Sequence, residues 1–147
     1  MKKNLILIPF IILTSCSNQP KCDSADVKNE VKNIISREYK KEIQDEYYYQ
    51  NYNRNDIYQY SKDRNLDFDK ISQEISEKVK LEGVKYSDSV ISNINIAFNN
   101  IRIIDINQDL KKCECAANLI FIDDVYDIEY SAQKTEDGNI YVEVSYY

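Results

Sequence analysis

Acidic side chains are the groups in this chain that could carry hydrolytic chemistry. The chain has no histidine, so the Ser-His-Asp and Cys-His arrangements that activate a nucleophile are absent. Paired carboxylates could still hydrolyse a glycan. The candidates are Asp123, Asp124, Asp127 and Glu129. Alternation places Asp127 and Glu129 on the solvent face of a strand, and the adjacent Asp pair is typical of a turn. The sequence therefore predicts no catalytic site.

A second acidic stretch resembles the loop of an EF-hand. Its oxygen-bearing side chains alternate and end at the twelfth position, in the order Asp63, Asn65, Asp67, Asp69 and Glu74. Glycine is required at the sixth position for a sharp turn, but Phe68 stands there. The other interpretation is a helix start whose acids stabilise the helix dipole. We expect no cofactor, and weak calcium binding is the alternative.

Tyrosines crowd into one segment of fourteen residues. They are Tyr47, Tyr48, Tyr49, Tyr52, Tyr58 and Tyr60. Tyrosine combines a large contact area with a polar group and is enriched at interfaces. Two interpretations stay open, namely a recognition surface for a partner and ordinary packing of a helix end onto the rest of the domain.

The N-terminus has the three parts of an export signal. Lys2 and Lys3 are followed by an apolar run that ends at Leu13, with Pro9 inside it. Nine apolar positions are too few to cross a bilayer, which needs roughly 20 residues. Residues 1–15 are therefore predicted to be a cleaved signal peptide rather than an uncleaved anchor.

Leu13-Thr14-Ser15-Cys16 resembles the lipobox of bacterial lipoproteins. The resemblance implies cleavage between Ser15 and Cys16, with acylation of the new N-terminal cysteine. The lipid bilayer is then a partner through Cys16, because several acyl chains anchor a protein stably. Ser17, which stands where an aspartate would retain the protein, implies the outer membrane if the cell is Gram-negative.

Charge limits the other partners of the exported chain. The full chain has a formal charge of −6, and loss of Lys2 and Lys3 makes it −8. An acidic protein is repelled by nucleic acid and by anionic headgroups. We therefore expect no nucleic-acid partner.

Three cysteines remain after lipidation, and an exported protein reaches an oxidising compartment. Cys113 and Cys115 lie two apart on a predicted strand, where bridging them would strain the extended backbone. A bond from Cys22 to one of this pair is therefore expected, and three free cysteines are the alternative. Three cysteines without a histidine make a poor zinc site, so no metal is expected. Residues 16–22 form a short tether that keeps the domain close to its membrane.

Helical periodicity covers residues 23–43 and 67–82. Apolar residues recur at three to four positions in both segments. Ser24 is a predicted N-cap of the first helix. Gly83 is the expected C-terminal stop of the second.

From about residue 90 the apolar period becomes two, which predicts strands. The first strand changes phase at Asn99 and Asn100, as a β-bulge does. A two-residue turn at Asp123 and Asp124 would then place Cys115 opposite Ala132. That register favours a Cys22–Cys115 disulfide, with Cys113 as the alternative partner.

The last hairpin needs a three-residue loop. A two-residue turn at Asp137 and Gly138 would place the apolar faces of the last two strands on opposite sides of the sheet. A loop of residues 136–138 instead sets Tyr130 opposite Val144, so that the two apolar faces agree. Gly138 then supplies the left-handed residue of a G1 bulge.

The C-terminal third resembles a group of small, partly prophage-associated bacterial lipoproteins. The shared pattern runs from Cys115-x-Ala117-x-Leu119 through Tyr130-x-x-Gln133-x-Thr135-x-Asp137-Gly138 to Tyr141-Val142-x-Val144. These residues are structural, and the resemblance carries over no catalytic residue.

The expected architecture is α+β, with two helices on one face of an antiparallel meander of about four strands. It is similar to cystatin-like and NTF2-like folds by analogy only. Residues 23–147 would form this single domain.

These features predict a membrane-anchored envelope lipoprotein whose small non-catalytic domain binds another envelope protein. One alternative is a small-ligand carrier with a cavity between helices and sheet, where Ala117 and Ala132 leave room. A carboxylate hydrolase is the remaining alternative.

Overall fold

The computed structural model describes residues 19–146. Three helices come first, α1 (Ala25–Asn51), α2 (Arg54–Asp63) and α3 (Phe68–Ser92). Four strands follow, β1 (Ile96–Asn107), β2 (Lys112–Phe121), β3 (Asp124–Lys134) and β4 (Ile140–Tyr146). The strands form one antiparallel sheet in chain order. The predicted α+β class is confirmed, with three helices instead of two.

Helix α1 begins where its sequence predicts. The Ser24 side chain accepts a hydrogen bond from the Val27 amide, and Asp26 lies in the first turn. Its apolar stripe buries Val27, Val31 and Ile35. The helix continues past residue 43 to Asn51, so three tyrosines of the tyrosine-rich segment belong to its last turns.

Helix α3 does not stop at Gly83, and that prediction is wrong. The helix runs nine residues further, to Ser92. A β-carbon at Gly83 would lie 3.3 Å from Cδ1 of Tyr47, so this glycine allows α1 and α3 to approach closely. Tertiary packing thus outweighs the poor helix propensity of glycine, which is about 1 kcal/mol worse than alanine.

The β2–β3 hairpin differs from its predicted register by two residues. The turn residues are Ile122 and Asp123, both with positive φ, and Phe121 pairs with Asp124. Cys115 therefore lies opposite Tyr130, while Cys113 lies opposite Ala132. A shift of two leaves every side chain on its original face. The apolar pattern therefore could not distinguish the two registers.

The other two predictions for the sheet are confirmed. Tyr130 pairs with Val144, and Gly138 has a φ of +89° in the three-residue loop. The pairing of β1 with β2 shifts between Asn99 and Arg102, where Asn100 has a φ of 51°. Glycine and asparagine tolerate this left-handed conformation best, which explains their positions.

The main core lies between α1 and one face of the sheet. Val27 and Val31 pack there with Leu119, Ile128 and Ala132, all of them at most 2% exposed. Burying one such aliphatic side chain stabilises the fold by about 1.5–3 kcal/mol. Helix α3 instead packs on the outer half of α1, where the Gln44 amide donates to the buried Ser87 hydroxyl.

Candidate functional site

The three described cysteines converge under the start of α1. Cys22 and Cys115 form a disulfide, and the Cys113 sulfur lies 3.6 Å from that of Cys115. Burial raises the pKa of the Cys113 thiol, which favours its neutral form. The argument that Cys115 faces Ala132 does not hold in the observed register, although the structure contains the Cys22–Cys115 bond.

The same cysteines are the one group of three or more Cys, Asp or Glu ligands that converges within residues 19–146. Their sulfur atoms all lie within 4.8 Å of one another. The disulfide uses two of the three sulfurs, so the oxidised protein offers a metal ion a single thiol. A lone buried thiol is not a metal centre.

The N-terminal segment, residues 19–23, is fixed to the sheet at three points. The Gln19 amide donates to the carbonyl oxygens of Asn107 (3.3 Å) and Lys112 (2.8 Å), the pair that closes the β1–β2 turn. The phenolic oxygen of Tyr130 donates to the Cys22 carbonyl oxygen at 2.8 Å. The disulfide is the third attachment. Gln19 therefore lies at the β1–β2 turn.

A groove of about 430 Å³ lies beside this segment. Pro20, Ile101, Ile103 and Ile106 supply most of its apolar wall. Ile103 is 59% exposed and Ile106 is 46% exposed, so the groove opens to solvent at the end of β1.

The six tyrosines divide into two groups of three. Tyr47, Tyr48 and Tyr52 pack between α1 and α3. The hydroxyl groups of Tyr48 and Tyr52 lie 3.1 Å and 2.6 Å from those of Ser76 and Ser72, and the two rings stack at 4.9 Å. These contacts correspond to the packing interpretation.

Tyr49, Tyr58 and Tyr60 form the exposed tyrosine group. Their exposed fractions are 81%, 50% and 43%. Tyr49 lies near the end of α1 and the other two lie on α2, so all three belong to the turn of the helical hairpin. The Tyr60 hydroxyl accepts a 2.8 Å hydrogen bond from Arg64. This group is available for contact with a partner.

The residues of the proposed calcium loop are not arranged as a binding loop. Asp63 ends α2, and Asp67 caps α3 by accepting a hydrogen bond from the Lys70 amide. Asp69 and Glu74 lie within α3, and Asn65 has positive φ in the short connection. Within residues 19–146, these acids do not form a convergent ligand group. The arrangement corresponds to the helix-start interpretation.

The candidate catalytic acids are also dispersed. Asp123 lies in the β2–β3 turn and Asp124 begins β3, so the predicted Asp-Asp turn is wrong by one position. Asp127 and Glu129 are exposed on the outer face of β3, and Asp127 accepts a hydrogen bond from Asn118.

The cavity proposed around Ala117 and Ala132 is filled. Both alanines are at most 1% exposed and belong to the core under α1. Small residues at this place allow the helix to approach the sheet closely. A separate groove of about 330 Å³ lies further along α1, with Tyr39, Phe121 and Tyr126 in its wall.

No helix within residues 19–146 combines the length and apolar character needed to cross a membrane. The predicted signal peptide, the predicted cleavage site and Cys16 lie outside the described residues. Comparison of the chain with protein families, curated proteins and solved structures finds no match.

Two features at this end of the sheet were not predicted from the sequence. One is Gln19, whose hydrogen bonds reach carbonyl groups 88 and 93 positions away. The other is the exposed isoleucine group at the end of β1. Its signal was present in the sequence, because Ile103 and Ile104 are adjacent and must lie on opposite faces of a strand.

Proposed function

We propose that this protein is a bacterial lipoprotein, anchored through acylated Cys16, whose helical hairpin binds another envelope protein. The proposal for the anchor is supported by the lipobox residues Leu13 to Cys16. With Ser17 after the acylated cysteine, the outer membrane is the proposed location in a Gram-negative cell.

The observation that carries the binding function is the position of the exposed tyrosine group relative to the N-terminal segment. Helix α1 starts beside Cys22 and has 27 residues, which at 1.5 Å per residue make about 40 Å. Tyr39 contacts Phe121 at the far end of β2, with ring centroids 4.9 Å apart. The last twelve residues of α1 therefore extend beyond the sheet, away from the N-terminal segment.

This geometry suits a membrane-bound adaptor. Anchoring at one end leaves the exposed tyrosine group at the opposite end, where a protein partner can reach it. Tyrosine is enriched at protein interfaces because its ring buries a large area while its hydroxyl finds a polar partner. Arg64, whose guanidinium lies 4.4 Å from the Tyr60 ring centroid, adds another residue type that is common at interfaces.

Photocrosslinking in intact cells tests the partner. A photoreactive phenylalanine analogue replaces Tyr49 or Tyr58, and the control replaces Tyr141, which is 54% exposed on β4. We expect one discrete protein adduct from the first two positions and none from the third. Equal adducts from all three positions, or no adduct from Tyr49 and Tyr58, would contradict the proposed interface.

The anchor is tested separately. Cys16→Ser is expected to abolish incorporation of labelled palmitate and to leave a larger, unprocessed precursor. Palmitate incorporation into the Cys16→Ser protein would exclude this cysteine as the acylation site.

A small-ligand carrier is the second candidate, supported by the groove beside α1. Three aromatic rings line this groove together with Glu38 and Glu42. Aromatic faces and carboxylates together favour an organic cation. A rise in melting temperature with millimolar tetramethylammonium, lost in Tyr126→Ala, would support this candidate. No shift in the wild-type protein would exclude it.

A further inference from the structure

An exposed apolar group lies at the β1–β2 end of the sheet. It consists of Ile103, Ile104, Ile106 and Leu110, which are between 46% and 59% exposed. Ile103 and Ile106 line the groove beside the N-terminal segment, whereas Ile104 lies on the other face near Glu114. Leu110 lies in the turn itself. Together these side chains surround the end of the hairpin, which we call the apolar hairpin end.

The chain enters the described structure at this same place. Gln19 donates to the two carbonyl groups at the base of the β1–β2 turn. Cys16 precedes Gln19 by three positions, and three residues span at most about 10 Å. An acylated Cys16 therefore lies within about 10 Å of Gln19, whose side chain contacts the base of the apolar hairpin end.

We propose that the apolar hairpin end inserts into the interface of the anchoring bilayer and fixes the orientation of the domain. This inference rests on the proposed acylation of Cys16. Transfer of exposed apolar side chains from water to the acyl-chain boundary lowers the free energy, and a nearby lipid anchor brings them to that boundary. Water-exposed apolar groups of this kind are typical of interaction sites.

Local charge is compatible with this contact although the whole chain is acidic. Lys111 and Lys112 follow Leu110 directly, and with Arg102 they balance Asp105, Asp109 and Glu114, the last of which pairs with Lys112 at 3.3 Å. Lysine can extend its charged end to the headgroups while its aliphatic part lies against apolar groups. The neighbouring β3–β4 turn, at positions 135–139, contains no large apolar side chain, so the contact is confined to the β1–β2 side.

The proposed contact would also orient the interaction surface. Helix α1 runs along the sheet away from the β1–β2 turn, because Cys22 is bonded near the start of β2 and Tyr39 meets Phe121 at its end. Insertion of the hairpin end therefore points the exposed tyrosine group away from the bilayer.

Single tryptophans can test this contact because the chain contains none. The two variants are Leu110→Trp in the apolar hairpin end and Val125→Trp at the opposite end of the sheet. Both positions are exposed, at 55% and 65%. Eight residues of β2 separate the two ends, which corresponds to about 27 Å. Unchanged melting of both variants checks that the fold is retained.

The acylated mature protein is reconstituted into vesicles of phosphatidylethanolamine and phosphatidylglycerol, with and without brominated acyl chains. A ring roughly 5–10 Å into the interface lies at the boundary with the brominated chains, so we expect a loss of emission for Leu110→Trp. The emission of Val125→Trp should not change. Equal quenching of both variants, or quenching of neither, would overturn the proposal.

Vesicle flotation separates this inference from the anchor on which it rests. A protein that floats with the vesicles while Leu110→Trp is not quenched shows that the anchor stands and the insertion is wrong. A blue-shifted but unquenched Leu110→Trp would mean that a protein surface covers the hairpin end, which also overturns insertion. An acylated protein that does not float would overturn both proposals.

Discussion

The hydroxyl of Tyr130 donates a 2.8 Å hydrogen bond to the carbonyl oxygen of Cys22, 108 positions earlier in the chain. This bond joins the middle of the sheet to the segment that leads into α1. Tyr130 is only 4% exposed, and burial raises its pKa to about 12. The interaction couples the attachment of the N-terminal segment to the core.

Tyr130→Phe removes this hydrogen bond while it keeps the ring. We expect the free energy of unfolding to fall by about 1–3 kcal/mol, because the Cys22 carbonyl loses its buried donor. Urea unfolding at neutral pH measures the loss. Tyr141→Phe, at an exposed position of β4, is the matched control and should change the free energy little.

The difference between wild type and Tyr130→Phe should shrink at alkaline pH. The folded pKa is about 12, whereas an unperturbed tyrosine titrates near 10. The folded state therefore keeps a proton that the unfolded state releases. This contribution to stability is complete below about pH 10 and disappears towards pH 12. Urea unfolding at pH 8 and at about pH 11, with Cys113→Ala in both proteins, measures the difference in free energy of unfolding. A difference that grows with pH would contradict this prediction.

Peptide mapping without reduction should find Cys22 bonded to Cys115. The bond closes a chain of 93 positions, so Cys22→Ala is expected to lower the free energy of unfolding by about 2–5 kcal/mol. Cys113 should react slowly with maleimide in the native protein and quickly in urea, because its thiol is buried and neutral. A Cys22–Cys113 peptide would contradict this assignment.

Gly83→Leu should separate α1 from α3. The new side chain would meet Tyr47, and overpacking of this kind costs about 1–3 kcal/mol. Glu82→Leu is the control, since it adds the same side chain at the neighbouring exposed position of the same helix. Thermal unfolding compares the two. A Gly83→Leu protein as stable as the control would show that the helices do not meet there.

Substitutions of Tyr52 and Tyr49 should have separate effects, the first on stability and the second on partner binding. Tyr52→Ala removes a ring that stacks on Tyr48 and a hydroxyl next to that of Ser72, so it should cost about 1–3 kcal/mol. Tyr49→Ala changes an exposed residue and should stay within about 0.5 kcal/mol of wild type. In partner pull-downs we expect Tyr49→Ala to reduce recovery. A stable Tyr52→Ala protein would show that Tyr52 is not part of the packing.

Ile122→Asn should stabilise the protein and test the β2–β3 register. Ile122 is 45% exposed and has a φ of 49°. This conformation costs a residue other than glycine about 1–2 kcal/mol, and the cost is smaller for asparagine. We expect a gain of about 1 kcal/mol in unfolding experiments. Asp124→Gly, one residue beyond the turn, should instead destabilise β3. A destabilising Ile122→Asn together with a stabilising Asp124→Gly would place the turn at Asp123 and Asp124.

The faces of the strands, the start of α1 and the β3–β4 loop were predictable because local rules determine them. A period of two assigns each side chain to one face whatever the partner strand is. Ser24 caps a helix through its own neighbours, and Gly138 allows a backbone conformation within its own loop. The predicted export signal and the resemblance of Leu13 to Cys16 to a lipobox likewise rest on short motifs that need no fold.

The β2–β3 register required the tertiary structure. The two registers differ by two residues, so both keep the apolar face intact, and the local turn chemistry favours the wrong one. The observed register places Tyr130 where its hydroxyl reaches Cys22 and sets Asn118 beside Asp127. These contacts offset the positive φ of Ile122.

For the candidate sites, the sequence alone determined which residues were available, and the fold determined which of them remain exposed. The six tyrosines look equivalent in the sequence, but packing against α3 buries part of Tyr48 and Tyr52 and leaves Tyr49 in solvent. The sequence predicts a helix stop at Gly83, but in the structure this glycine lies where α1 and α3 touch. Periodicity describes one element at a time. Which elements meet depends on contacts between distant residues, and those exist only in the folded chain.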